Sequence, residues 1–364
     1  MPPKAASAAL IALIAALVAP PVAALDTSLG ALSVTPMAQG LDEPWGLAFL
    51  PDGRFLVTER AGRLTLFSEG GSARTQITGL PQVWEEGQGG LLDVLVTRDF
   101  ATSRRIWLSY ATSENGSTGG TATGFGTLSD DGTTLQDFRP VFTGPATAGG
   151  RHFGSRLVEA ADGSVFVTFG ERGLGMPAQD PAVPMGKTIH LTAQGDAIQT
   201  DPAWAAGVYS TGHRNPQGAA LDAAGNLWVV EHGAQGGDEL NRVEPGRNYG
   251  WPVITYGKDY DDSPIGIGTA QDGMEQPVHY WDPSIAPSGL MIYQGAMFPE
   301  WRGDVFIGSL KFDLVSRLDP DAAYAEEQLQ SPQTGRVRDI RQGPDGAIWF
   351  LSVYDGAAYR ISRP

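Results

Sequence analysis

The chain has 364 residues, no cysteine and a formal net charge of −16. The missing cysteine rules out a disulfide framework, and the acidic balance argues against nucleic-acid or anionic-membrane partners. The 48 glycines, 26 prolines and charged fraction of 18% fit many short strands joined by turns better than helices.

Taken in chain order, the first element is a leader. Lys4 precedes an apolar run from Ala8 to Val18, and Val22, Ala23 and Ala24 form a small-residue cleavage pattern. Residues 1–24 therefore read as a secretory signal peptide, which predicts a periplasmic or secreted protein. An uncleaved anchor is the alternative, but the apolar run is short for a spanning helix. No later segment is long and apolar enough to span a membrane, and 25–364 read as one domain.

Next comes a repeated unit: an apolar strand, a tight turn and a second apolar strand. It occupies Gly46 to Thr58 around Pro51-Asp52-Gly53, and Ser155 to Thr168 around Ala161-Asp162-Gly163. It recurs at Gln217 to Val230 around Ala224-Gly225-Asn226, and at Asp339 to Leu351 around Pro344-Asp345-Gly346. Looser copies cover Leu91 to Tyr110 and Gly289 to Leu318. Turns of this type accept positive φ and close tight hairpins. Irregular spacing of such units matches propeller blades with insertions better than a solenoid. The expected fold is all-β: a six-bladed β-propeller of four-stranded antiparallel blades, with five or seven blades also compatible with the looser copies. Thr112 to Thr123, rich in Gly, Ser and Thr, is expected to form one long exposed hairpin.

Propellers place function in the loops at one end of the central channel. Gln88 sits among Gly87, Gly89 and Gly90, where backbone can approach a ligand. His152 follows Gly149-Gly150-Arg151 at a strand entrance and is placed to act as a general base near neutral pH. His213, Arg214 and Asn215 precede Pro216 in a stiffened loop. The acidic, glycine-rich run from Glu231 to Asn241, followed by Asn248 to Pro252, offers the carboxylate and carbonyl oxygens that hard cations take. Lys311, Arg336 and Arg338 form an isolated basic set in an acidic chain, which favours an anionic ligand.

Together, Gly87 to Gly90, His152 to Arg156, Gly212 to Gln217, Asn248 to Pro252 and Arg336 to Asp339 resemble the soluble aldose dehydrogenases that depend on pyrroloquinoline quinone (PQQ), the glucose/sorbosone dehydrogenase family. The resemblance runs from about Gly40 to Ile361. It implies a six-bladed propeller with PQQ over its axis, and oxidation of aldose sugars at C1 to lactones, with electrons passed to an external quinone, cytochrome or dye. By the same resemblance His152 is the base. Gln88 lies near base and quinone, and Arg214 and Asn215 meet the polar edge of the quinone. Lys311, Arg336 and Arg338 hold its carboxylates, and Tyr260 is an aromatic contact. Backbone carbonyls at Gly233 and Ala234 hold a catalytic Ca2+; Glu239 and the Tyr249 carbonyl hold a structural one. The protein is expected as a monomer or dimer.

The sequence departs from the glucose-preferring type in three places. Arg151 stands where that type has an acid, and His232 and Ala234 stand where it has Gln and Pro. Pro283 to Pro287 lack its substrate-facing aromatic. These changes point to the broader aldose branch and leave the preferred sugar open. Two other classes compete. A glycan- or protein-binding propeller explains fold and export but not the basic set. A calcium-dependent lactonase would place Asp, Asn and Glu side chains where this chain has cations.

Overall fold

The computed structural model describes residues 23–364. The expected leader, 1–24, lies outside them except for Ala23 and Ala24, which open the strand Ala23–Thr27. Among the described residues no helix is long and apolar enough to cross a membrane.

Six antiparallel sheets follow one another around a ring. The inner strands are Pro44–Phe49, Leu91–Val96, Gly154–Glu159, Pro216–Leu221, Pro287–Ile292 and Val337–Gln342. Each opens one blade, so the two looser sequence repeats are complete blades like the other four. The hairpin turns repeat as well: Gly53, Gly163, Gly225 and Gly346 all adopt φ between 81° and 85°, where a β-carbon is disfavoured. The ring is closed by both ends of the chain. Gly30–Gln39 pairs with Ala357–Ser362, which joins the sixth blade through Ile348–Ser352. That blade gains a fifth strand, Ala23–Thr27.

The core lies between blades rather than within them. One cluster joins Leu56, Leu64 and Ile77 of the first blade to Val94, Ile106 and Leu108 of the second. Another joins Phe55 and Phe67 of the first blade to Trp349 and Leu351 of the sixth. Four further clusters fill the remaining interfaces. Each fully buried large side chain contributes about 1.5–3 kcal/mol, so every blade is held by both neighbours.

The Gly-rich segment differs from expectation. Only its turn is exposed; Gly119 to Thr123 are buried within the strand Thr118–Leu128. Glycine is needed there for close approach: a β-carbon on Gly119 would meet the Trp84 ring at 2.2 Å, and one on Gly124 would meet the Arg139 carbonyl oxygen at 2.3 Å.

All six inner strands share one irregularity. Their pairing with the next strand slips at Pro44/Leu47, Leu91/Val94, Gly154/Leu157, Pro216/Gly218, Pro287/Leu290 and Val337/Asp339. A bulge bends its strand and re-aims the side chains at it. Here six bulges sit at the same end of the ring, where the inner strands begin.

Candidate active site

A cleft opens at that end, with an empty volume of about 890 Å³ including its mouth. The bulges supply Trp45, Leu92, Gln217 and Arg338 to its wall; Gln88, Phe153, Asn215 and Arg336 come from the adjoining loops. Neither Arg336 nor Arg338 has a carboxylate partner among the described residues. Arg336 donates from Nη1 to the Leu310 carbonyl at 3.0 Å, and Arg338 donates from Nη1 to Gln217 Oε1 at 2.9 Å. Burial, together with the positive charges of Arg336, Arg156 and Arg60, pushes the Arg338 guanidinium down to about 9. A cation so disfavoured fits a site that takes an anion.

His152 stands beside this cleft, 8% exposed. Its backbone N–H donates to Gln88 Oε1 at 2.8 Å, and the Gln88 N–H donates to the Gly150 carbonyl at 2.6 Å. His152 adopts φ 55°, a left-handed conformation that costs a non-glycine residue about 1–2 kcal/mol. Its Nδ1 is bonded to Glu171 Oε1, leaving Nε2 without a protein partner among the described residues. Burial holds the imidazole below its ordinary range, while its own bond to His152 holds Glu171 low despite burial. The second Glu171 oxygen accepts from the Gly175 N–H at 2.6 Å, fixing the carboxylate. A neutral imidazole with an ionised carboxylate behind it is the arrangement of a general base.

Arg214 is buried, with its guanidinium 5.0 Å from the Trp251 ring and its Nε unpartnered. Asn215 Oδ1 accepts from the Gly154 N–H at 3.2 Å and from Gln217 Nε2 at 3.1 Å, tying the third and fourth blades together at the cleft floor. Behind Arg214 lies a smaller cavity, with room for about one water-sized occupant, lined by Gly233, Glu239 and Tyr249 among others. Ala234 is buried beside it in the same loop. Burial next to Glu231 and Asp238 pushes the Glu239 carboxyl up to about 8. Asn241 Oδ1 is buried with no donor. Two carboxylates, Glu231 and Glu239, thus share the wall of this cavity, although no three acidic, thiol or imidazole side chains among the described residues form a ready cage.

Two expected residues lie elsewhere. Tyr260 is 71% exposed, on a loop joined to the Gln235 backbone through Lys258. Lys311 is exposed, its ammonium 5.0 Å from the Phe312 ring, although its neighbour Leu310 lines the cleft. Conversely, sequence reasoning missed Glu171, Trp45 and Arg60, and gave Gln217 no role beyond its place in the Gly212 to Gln217 motif. Glu171 follows the strand Val165–Phe169 in a Gly-Glu-Arg-Gly run, and that acid among glycines at a strand exit was the available signal.

The family model described as Glucose / Sorbosone dehydrogenase matches residues 41–360. Aldose sugar dehydrogenase YliI of Escherichia coli is 41% identical over 333 residues, covering 88% of this chain and 90% of its own. The crystal structure of the soluble aldose sugar dehydrogenase from Escherichia coli in the apo-form superposes with a TM-score of 0.85 at 39% identity, covering 92% of this chain and all of that one. The PQQ-bound form of aldose sugar dehydrogenase from Streptomyces coelicolor gives a TM-score of 0.77 at 26% identity, over 91% and 98%. With the family model spanning most of the chain and a relative at 41% identity, the chain belongs to the glucose/sorbosone dehydrogenase family of oxidoreductases.

Proposed function

We propose that the protein oxidises aldose sugars at C1 to lactones with PQQ and Ca2+, passing the electrons to an external quinone, cytochrome or dye. The carrying observation is the pair Arg336 and Arg338: two guanidiniums in one cleft, neither ion-paired to a carboxylate among the described residues, in a chain of net charge −16. A tricarboxylate quinone supplies that balance. The cavity where Glu231 and Glu239 meet beside Gly233 and Tyr249 suits a hard cation on the same grounds. When bound, PQQ would supply the hydride acceptor and Ca2+ a Lewis acid.

The protein's own residues orient the substrate and move one proton. His152 Nε2 takes the proton of the anomeric hydroxyl as the C1 hydride leaves. The Nδ1–H is held on Glu171, which fixes the tautomer and stabilises the imidazolium that forms. Gln88 fixes the main chain of the base. Arg336 and Arg338 anchor the anionic cofactor. The basic leader pattern in residues 1–24 supports export to the periplasm or medium, with maturation before Leu25; N-terminal sequencing of the exported protein tests this.

The apo-protein is titrated with PQQ and Ca2+ and assayed for dye-linked oxidation of a panel of neutral aldoses. The expected result is a saturable quinone spectrum that bleaches on adding sugar. Bound PQQ with no turnover on any aldose overturns the proposal. Calcium-dependent lactone hydrolysis indifferent to PQQ would replace it with a hydrolase.

A further inference from the structure

The segment carrying His152 is gripped by two consecutive residues from across the third blade. Glu171 holds the imidazole, and Arg172 holds the main chain. The Arg172 guanidinium lies 3.6 Å from the centre of the Phe153 ring. It donates from Nη2 to the Gly149 carbonyl at 2.7 Å and from Nη1 to the Arg151 carbonyl. A longer contact of 3.4 Å runs from Nη2 to the Gly119 carbonyl in the second blade. The Arg172 backbone N–H in turn donates to the His152 carbonyl at 3.3 Å. Arg172 is 3% exposed and has no acid partner among the described residues. Its charge is spent on main-chain oxygens of the segment that presents the base.

We infer that Arg172 is a positioning residue for the His152 base, through the carbonyls of Gly149 and Arg151 and the face of Phe153. The inference rests on the sugar-oxidation reading above. His152 holds a left-handed backbone that would relax if released. Gln88 restrains it from one side through its N–H, and Arg172 restrains it from the other. With both in place, the imidazole is held in one position beside the cleft. A planar, five-donor guanidinium can satisfy several diverging carbonyls while stacking on an aromatic ring; an amide cannot.

The test uses the full chain, loaded with PQQ and Ca2+, as Arg172→Gln and Arg172→Lys. In Arg172→Gln, kcat and kcat/KM are expected to fall together, by about 10²-fold for a base displaced by about 1 Å. The PQQ titration should be unchanged. Arg172→Lys keeps the charge and some of the donors and should recover part of the loss. In the apo-protein, the imidazole 15N shifts of His152, one of five histidines, should move from the Nδ1–H pattern toward a mixture in Arg172→Gln, while those of His213 stay put. Turnover of Arg172→Gln within about twofold of the parent, or unchanged His152 shifts, overturns the inference. So does a parallel loss of PQQ binding, which would make Arg172 part of the general fold. If the parent itself oxidises no sugar, the dehydrogenase reading falls, and the imidazole shifts still decide the positioning role.

Discussion

Burial holds His152 below the ordinary imidazole range; Glu171 pulls it up, and the charges of Arg214 and Arg151 push it down. The reaction needs the neutral form. The acid limb of kcat/KM should therefore lie below the free-imidazole value of about 6.5, with a plateau above it. Glu171→Gln removes the carboxylate that stabilises the imidazolium. It should move that limb further toward acid and lower kcat by about 10²–10⁴-fold; an acid limb displaced upward would contradict the dyad. Arg338 behaves differently, because burial and the neighbouring arginines disfavour its charge. Arg338→Met should weaken PQQ binding by the loss of a charged hydrogen bond, about 1.5–3 kcal/mol. The same change relieves repulsion with Arg336, Arg156 and Arg60, so the apo-protein should melt no lower than the parent. Absorbance titration and calorimetry measure the two effects separately.

The bulged inner strand makes this chemistry repeatable. Where the slip occurs, the first, fourth and fifth blades carry Gly46, Gly218 and Gly289, and the next blade passes against each. A β-carbon on Gly289 would lie 2.5 Å from Asp339 Oδ1 and 2.6 Å from the Ile340 nitrogen. Gly289→Ala should cost about 1–3 kcal/mol by overpacking, read as a lower denaturant midpoint at unchanged slope. The hairpins were legible because a Pro-Asp-Gly turn is a local instruction. The bulges were not, since Trp45, Gln217 and Arg338 share no residue type; only their place in the ring is common. Glu171 was hidden for the same reason, being 19 residues from His152 in sequence and bonded to it in space. Tyr260 shows the converse: only the family resemblance marked it as an aromatic contact, and the turn from Asp259 to Ser263 leaves its ring in solvent.

At the scale of the ring, closure depends on contacts that no single blade contains. Asp93 of the second blade accepts from the Leu157 N–H of the third at 2.8 Å, and Asp339 of the sixth accepts from the Leu47 N–H of the first at 2.9 Å. Between the two aspartates lies Arg156, fully buried, with Nη1 2.9 Å from Asp93 and 3.0 Å from Asp339. Arg341 bridges the same pair at 3.2 and 3.1 Å. Two acids and two bases thus form a neutral plug on the axis beneath the cleft, with Arg156 4.4 Å from the Trp45 ring that lines it. Arg156→Met leaves two buried carboxylates sharing one guanidinium. Breaking a buried pair in this way costs about 3–5 kcal/mol. The pH dependence identifies the cause. Burial already raises the Asp93 carboxyl above its ordinary range, and losing Arg156 raises it further. A group whose folded value lies above its unfolded value of about 3.9 contributes stability below that pH and loses it as pH rises. The deficit of Arg156→Met relative to the parent should therefore shrink as pH falls toward 4 and widen toward neutrality. A deficit constant across that range in urea titrations would assign the loss to packing against Trp45 instead of to charge.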